Sequence, residues 1–82
     1  MTNDDIRALV LDVLQEVAPD IEAKQLDPSL NFRDQFEFDS VDYLNFILIL
    51  EKRLEIKISE GDYPKLSGLN ACVSYLQAKG DA

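Results

Sequence analysis

The chain has 82 residues, 46% of them hydrophobic and 29% charged, with no histidine and a formal net charge of −8. This length predicts one domain over residues 1–82 without a large enclosed substrate cavity, and the missing histidine excludes imidazole catalysis and histidine metal sites, so neither an enzyme nor a metal centre is expected. The negative charge repels nucleic-acid phosphates and anionic lipids, which excludes both as expected partners.

An amphipathic helix is predicted near the N-terminus. Its apolar residues recur at steps of three and four and form one stripe: Ile6, Leu9, Val10, Val13, Leu14 and Val17. Thr2 or Asn3 can cap its start, with Asp4 and Asp5 in the first turn, where carboxylates interact favourably with the helix dipole. Pro19 ends the helix.

Residues 19–39 are predicted to form a long loop, because Pro19 and Pro28 interrupt any regular pattern. Isolated apolar residues are expected to anchor this loop to the helices: Ile21, Leu26, Leu30, Phe32, Phe36 and Phe38. A loop of this length in a compact domain is typical of an anchored or functional segment. A short helical turn is predicted near Ser29 to Asp34.

A second long helix is predicted over residues 40–54. At about 100° per residue, its core stripe is formed by Tyr43, Phe46, Ile47, Leu50 and Leu54. The opposite face carries Val41, Asn45, Leu48, Ile49 and Lys52. Three of these five are aliphatic where a surface helix is usually polar, and Ile49 is the most out of place.

The remaining chain is predicted to hold an extended connector that buries Ile58, a short irregular helical turn over residues 59–64, and a last helix. The last helix opens at Ser67 or Gly68 and ends at Gly80. Its apolar stripe is Leu69, Cys72, Val73 and Leu76. The predicted fold class is all-α: a small four-helix bundle of three main helices plus a short third helix, with a long loop between helices 1 and 2.

No targeting or membrane segment is predicted. The acidic N-terminus lacks a basic n-region, and no apolar run reaches the length of a membrane span. Cys72 is the only cysteine, which excludes an internal disulfide, and it is expected to be a small core residue. These features predict a cytoplasmic protein without membrane insertion, and we expect a monomer.

Ser40 stands at the junction between the long loop and the second helix. A purely structural interpretation is that Asp39 or Ser40 is a helix N-cap, with a side-chain oxygen that accepts a hydrogen bond from the first turn. Two neighbouring features favour a further role. An acid precedes Ser40, and the helix that it opens carries exposed aliphatic residues within its first turns.

The residues around Ser40 resemble the acyl carrier protein family, in which a serine in an Asp-Ser-Leu type motif receives 4′-phosphopantetheine. Asp39-Ser40-Val41 is the matching tripeptide, and helices of matching length and order extend the resemblance over nearly the whole chain. The resemblance implies an arm from coenzyme A on Ser40, beside Asp39. It implies as partners a phosphopantetheinyl transferase and the enzymes that load and transfer acyl groups in fatty-acid, lipid or polyketide-type biosynthesis.

The same resemblance makes the second helix the main recognition element for partner enzymes. The predicted docking residues are Val41, Asp42, Asn45, Leu48, Ile49 and Lys52. Glu37 stands where the family usually has glycine, which affects the expected turn geometry, and Asn45 and Lys52 stand where carboxylates are expected. These departures predict a specialised carrier with a dedicated set of partners.

Three alternatives stay open at this point. A carrier of aminoacyl or peptidyl groups would use the same arm, although Glu37 and the net charge argue against it. An unmodified interaction module would use the same helix to bind a partner, with Ser40 only as a cap. The apolar helix could also mediate self-association, and its inward stripe could enclose an acyl chain or be ordinary core.

Overall fold

A computed structural model describes residues 2–80, which fold into four α-helices and two short 3₁₀ helices. The α-helices are α1 (Asn3–Val17), α2 (Phe32–Gln35), α3 (Ser40–Leu54) and α4 (Leu69–Gly80). The 3₁₀ helices are Ala23–Gln25, within the long loop, and Glu60–Leu66, between α3 and α4. The all-α bundle predicted from the sequence is confirmed, and Glu60–Leu66 is its short third helix. In the described part of the chain, no helix is both long and apolar enough to cross a bilayer.

The start of α1 is fixed by a capping box. The Thr2 hydroxyl accepts a hydrogen bond from the N–H of Asp5, and the Asp5 carboxylate accepts one from the N–H of Thr2, both at 3.2 Å. Thr2, not Asn3, is therefore the cap. The buried face of α1 consists of Ile6, Val10, Val13 and Leu14. The apolar stripe predicted for this helix is confirmed, with Leu9 and Val17 at its partly buried edges.

One hydrophobic core joins α1, α3 and α4. Phe32 and Phe46 are fully buried, with ring centroids 5.4 Å apart in an edge-to-face arrangement. The predicted core residues Ile58 and Cys72 are buried as well, and burial raises the pKa of the Cys72 thiol. α1 packs against both α3 and α4, so it holds the other two long helices together.

The long loop is anchored largely as predicted. The buried anchors are Ile21, Leu26, Phe32 and Phe38, and Phe36 is partly buried. The prediction that Leu30 anchors the loop is wrong, because its side chain is 45% exposed. Its backbone faces the bundle instead: a Cβ on Gly68 would lie 2.8 Å from the Leu30 carbonyl oxygen, which also accepts a hydrogen bond from Gln35 Nε2. At this position it is therefore the backbone, and not the side chain, that lies against the bundle.

Two backbone hydrogen bonds join the loop to the start of α4. The N–H of Phe32 donates to the carbonyl of Ser67 at 2.8 Å, and the N–H of Asn70 donates to the carbonyl of Pro28 at 3.0 Å. The short helix α2 begins at this junction, close to the helical turn predicted near Ser29 to Asp34. The loop is consequently a fixed part of the bundle that delivers the chain to the start of α3.

Candidate functional site

The start of α3 is capped by Asp39 and not by Ser40. Asp39 has an extended backbone, and its Oδ1 accepts a hydrogen bond from the N–H of Asp42 at 2.8 Å. Ser40 is the first residue of the helix and is exposed. Within residues 2–80 its hydroxyl has no hydrogen-bond partner. Because its neighbour supplies the cap, the Ser40 hydroxyl remains available at a helix N-terminus.

Aromatic packing fixes the backbone on both sides of Ser40. The buried ring of Phe38, two residues before it, lies edge-on to Phe32 at 5.7 Å and to Phe46 at 6.2 Å. The same ring also contacts Tyr43, one helical turn after Ser40, at 6.2 Å. These contacts tie the end of the loop to the first turns of α3, so the junction that presents Ser40 has a defined position.

Glu37 does not strain the turn before the site. Within residues 2–80, Glu55 is the only non-glycine residue with a positive φ, 53°. Glycine is therefore not required at position 37, because the backbone there stays within the conformations open to every residue. The concern that the sequence raised about this turn is removed, and Glu37 is simply exposed.

The predicted docking residues fall into two groups. The first group is exposed and consists of Val41, Asn45, Leu48 and Lys52. Asp42 is half-buried, and its backbone donates to the cap. Ile49 is partly buried against the core, so its prediction as an exposed residue is wrong. The reason is angular: Ile49 lies roughly 110° from the middle of the buried stripe, on a flank of α3 that the core covers, and not on its outer face.

Leu44 completes an apolar strip that the sequence analysis missed. It is 44% exposed, beside Val41 at 66% and Leu48 at 49%. We call Val41, Leu44 and Leu48 the apolar strip. It begins directly after Ser40 and runs about 10 Å along the outer side of α3, at 1.5 Å per residue. The spacing of three and then four residues was the signal that could have identified Leu44.

Two open cavities lie on the other side of the site. The larger, about 760 Å³, is lined by Asn31, Phe32, Arg33, Asp34, Tyr43, Tyr63, Pro64 and Ser67. The smaller, about 430 Å³, is lined by Arg33, Phe36, Glu37, Phe38, Asp39 and Asp42. At the larger cavity the Tyr43 hydroxyl donates to the carbonyl of Tyr63, and burial raises the pKa of Tyr43 to about 12, so this group stays protonated at neutral pH. Arg33 is common to both cavities.

The arrangement suits a covalent arm that begins with a phosphate. A helix N-terminus offers free N–H groups and the positive end of the helix dipole to an anion, and Ser40 occupies that position in a 15-residue helix. In the part of the chain that the structure describes, no cluster of three or more metal-ligating side chains is found. The exposed hydroxyl, the helix start and the open cavities beside it therefore fit phosphopantetheine attachment.

Comparisons with known proteins agree with this geometry. A family model described as "Phosphopantetheine attachment site" matches residues 4–76. The acyl carrier protein of Chlamydia felis is 25% identical over 76 residues, which cover 93% of this chain and 91% of that protein. Among solved structures, the acyl carrier protein of Enterococcus faecalis is 30% identical, with a TM-score of 0.73 and coverage of 95% of this chain and 98% of the other. A provisionally assigned acyl carrier protein of Anaplasma phagocytophilum is 27% identical, with a TM-score of 0.82 and coverage of 96% and 92%.

Proposed function

The chain belongs to the phosphopantetheine-attachment-site family, and we propose that Ser40 is the residue to which its 4′-phosphopantetheine arm is attached. Its role is that of an acyl carrier, in keeping with the acyl carrier proteins that it resembles along their length. When attached, the arm supplies a terminal thiol that holds an acyl group as a thioester. Carriers of this family deliver their cargo to separate enzymes and leave the catalysis to them.

The assignment of Ser40 rests on the different roles of Asp39 and Ser40 at the start of α3. Asp39 caps the helix with its side chain, and the exposed Ser40 hydroxyl makes no hydrogen bond within residues 2–80. An N-cap serine would have its oxygen engaged by a backbone N–H of the first turn. The competing interpretation, in which Ser40 serves only as a cap, therefore loses its main support.

The same observation indicates where the activation of Ser40 originates. In the attachment step its Oγ bonds to the phosphorus that carries the pantetheine part of coenzyme A, and its proton is lost. The bond from that phosphorus to the oxygen of the nucleotide part breaks at the same time. Among the described residues no side chain accepts the hydroxyl proton of Ser40. A phosphopantetheinyl transferase is consequently proposed as the partner that supplies the base.

We further propose that the apolar strip is the docking surface for this transferase and for the enzymes that load and unload the arm. Asn45 and Lys52 lie exposed on the same outer side of α3. Both replace carboxylates that are expected in the family. The partner surface that complements this side of α3 is therefore apolar opposite the strip and offers an acidic group to Lys52. This surface supports a specialised carrier in fatty-acid or a related lipid or polyketide-type biosynthesis. A cytoplasmic location and a monomeric state stay predictions.

The attachment site is tested by intact mass. The protein is incubated with coenzyme A and a transferase of broad specificity, and the wild type is expected to gain one phosphopantetheinyl group. Ser40→Ala is expected to gain none. Ser59→Ala is the matched control, because Ser59 is also an exposed serine at a helix start whose side chain makes no cap hydrogen bond. It should be modified like the wild type.

Two outcomes would overturn this proposal. One is an unchanged wild-type mass under conditions in which the transferase modifies a known carrier, which would favour the unmodified interaction module. The other is full modification of Ser40→Ala. The docking surface is tested in the same assay: Leu48→Glu should lower the kcat/KM of modification, whereas Lys57→Glu, an exposed change beyond α3, should not.

A further inference from the structure

We propose that Arg33 binds the phosphodiester through which the arm is joined to Ser40, and so holds the first part of the arm on the Tyr43 side of α3. This inference rests on the proposed attachment at Ser40. It assigns to the loop before α3 a direct part in orienting the arm, whereas the helix start alone would offer only its backbone N–H groups.

The position of Arg33 is the first argument. Arg33 lines the smaller cavity together with Asp39 and Asp42, the two residues that form the cap of α3. It also lines the larger cavity together with Tyr43. Ser40 itself lines neither cavity, but it follows Asp39 directly in the chain, so a phosphate on its hydroxyl starts at the edge of the cavity that Arg33 and Asp39 line.

The charge environment of Arg33 is the second argument. Four acidic residues line the two cavities with it: Asp34, Glu37, Asp39 and Asp42. Within residues 2–80 Arg33 nevertheless forms no ion pair with any of them. A guanidinium in an acidic setting without a fixed partner is available to an incoming anion.

Arg53, in contrast to Arg33, forms ion pairs within the protein. Its guanidinium pairs with Asp12 at 2.7 Å and with Glu16 at 2.9 Å, which links α3 to α1. Arg33 forms no ion pair within residues 2–80, and the N–H donors of its planar guanidinium can bind two phosphate oxygens at once. Of these two arginines, it is therefore Arg33 that combines an unpaired charge with a place beside the helix start.

The need for a cation at this point follows from the chemistry of attachment. The phosphodiester adds a negative charge directly after Asp39, in a chain whose formal net charge is already −8. The dipole of α3 offsets part of that repulsion, and a bound arginine offsets more. Arg33 thus makes the modified state compatible with an acidic cap.

A consequence for the arm's direction follows from helix geometry. Tyr43 and Val41 are two residues apart, and hence roughly 200° apart around α3. An arm held by Arg33 on the Tyr43 side leaves the apolar strip, which begins at Val41, uncovered. Partners can then dock on the strip while the arm leaves along the flank that carries Tyr43.

The test is a comparison of the protein before and after modification by nuclear magnetic resonance. The side-chain Nε–Hε signals of the arginines are followed in the ¹⁵N-labelled wild type, and Arg33→Gln identifies the signal of Arg33. Modification is expected to shift the Arg33 signal and to leave those of Arg7 and Arg53 in place. High salt should reduce the shift, because it screens exposed charges.

The ³¹P signal of the phosphodiester gives an independent readout from the modified variants. Arg33→Gln is expected to move it relative to the wild type, and Arg33→Lys to move it less. Arg7→Gln is the matched control, because Arg7 also lacks an ion pair within the described residues and lines neither cavity. Arg33 is exposed and Arg7 is partly exposed, so the variants should fold like the wild type.

Failure of this inference is separable from failure of the attachment at Ser40. Intact mass is recorded first, and a wild type that gains no mass overturns both proposals. A correct mass with an unmoved Arg33 signal overturns only the role of Arg33. The same holds if the ³¹P signals of Arg33→Gln and Arg7→Gln coincide with that of the wild type.

Discussion

The close contact between the long loop and α4 at Gly68 can be tested by adding a single methyl group. In Gly68→Ala the new Cβ lies 2.8 Å from the carbonyl oxygen of Leu30, 3.5 Å from its carbonyl carbon and 3.7 Å from Cα of Asn31. The first distance is too short for a carbon and an oxygen in a folded protein, so one of the two backbone segments has to move. The pair of backbone hydrogen bonds between the loop and α4 opposes that movement.

The expected cost follows from two opposing effects. Forcing an extra carbon into a packed site costs about 1–3 kcal/mol. Alanine also restricts the unfolded chain, which returns about 0.4–1 kcal/mol when its backbone conformation is allowed, as it is here because Gly68 has no positive φ. The net loss in the free energy of unfolding is about 1–2 kcal/mol, and each kcal/mol lowers the Tm of a domain of this size by about 4–8 °C.

Gly61→Ala is the matched control for this substitution. A Cβ at Gly61 has no neighbouring atom within 4 Å, and its φ is not positive. The same chemical change should therefore stabilise the protein by about 0.4–1 kcal/mol, through the unfolded chain alone. Both variants are compared with the wild type by thermal and urea unfolding, followed by circular dichroism. A Gly68→Ala variant as stable as Gly61→Ala would refute the close approach.

Three further predictions concern the helix ends and the core. Glu55→Gly should raise the free energy of unfolding in urea by about 1 kcal/mol, because Glu55 holds a left-handed backbone with a φ of 53°; no gain would contradict that strain. Asp39→Ala should lower it by about 1 kcal/mol through loss of the cap, while intact mass still shows modification of Ser40. The thiol of Cys72, whose pKa is raised by burial, should resist an aromatic disulfide reagent in the native protein and react after unfolding; rapid native reaction would place it at the surface.

The long helices could be predicted from the sequence because their apolar spacing follows the helical period closely. For α3 the predicted range 40–54 coincides with the observed Ser40–Leu54. The cap could not be assigned in the same way, since aspartate and serine are about equally good N-caps. Only the hydrogen bond from Asp42 to Asp39 shows which of the two is engaged, and this decides the interpretation of Ser40.

Periodicity does not indicate which flank of a helix its neighbours cover. Ile49 and Leu44 lie at similar angles, roughly 110° to either side of the buried stripe of α3, yet Ile49 is partly buried and Leu44 is exposed. The difference arises from tertiary packing, which the spacing of residues does not contain. The prediction that Leu30 anchors the loop was wrong for a related reason. Its apolar character does not indicate whether its side chain or its carbonyl faces Gly68.

The ring of Phe38 has a mechanical consequence for the arm. This ring packs against aromatic rings on both sides of Ser40. The residue to which the arm is attached therefore has a fixed position and is not part of a flexible loop. The volume that the thiol explores is then set by the arm and its contacts, and not by movement of Ser40. A shorter effective tether raises the local concentration of cargo at a docked active site. Loosening this contact, for example by Phe38→Ala, would therefore dilute the cargo while the serine and the arm stay chemically the same.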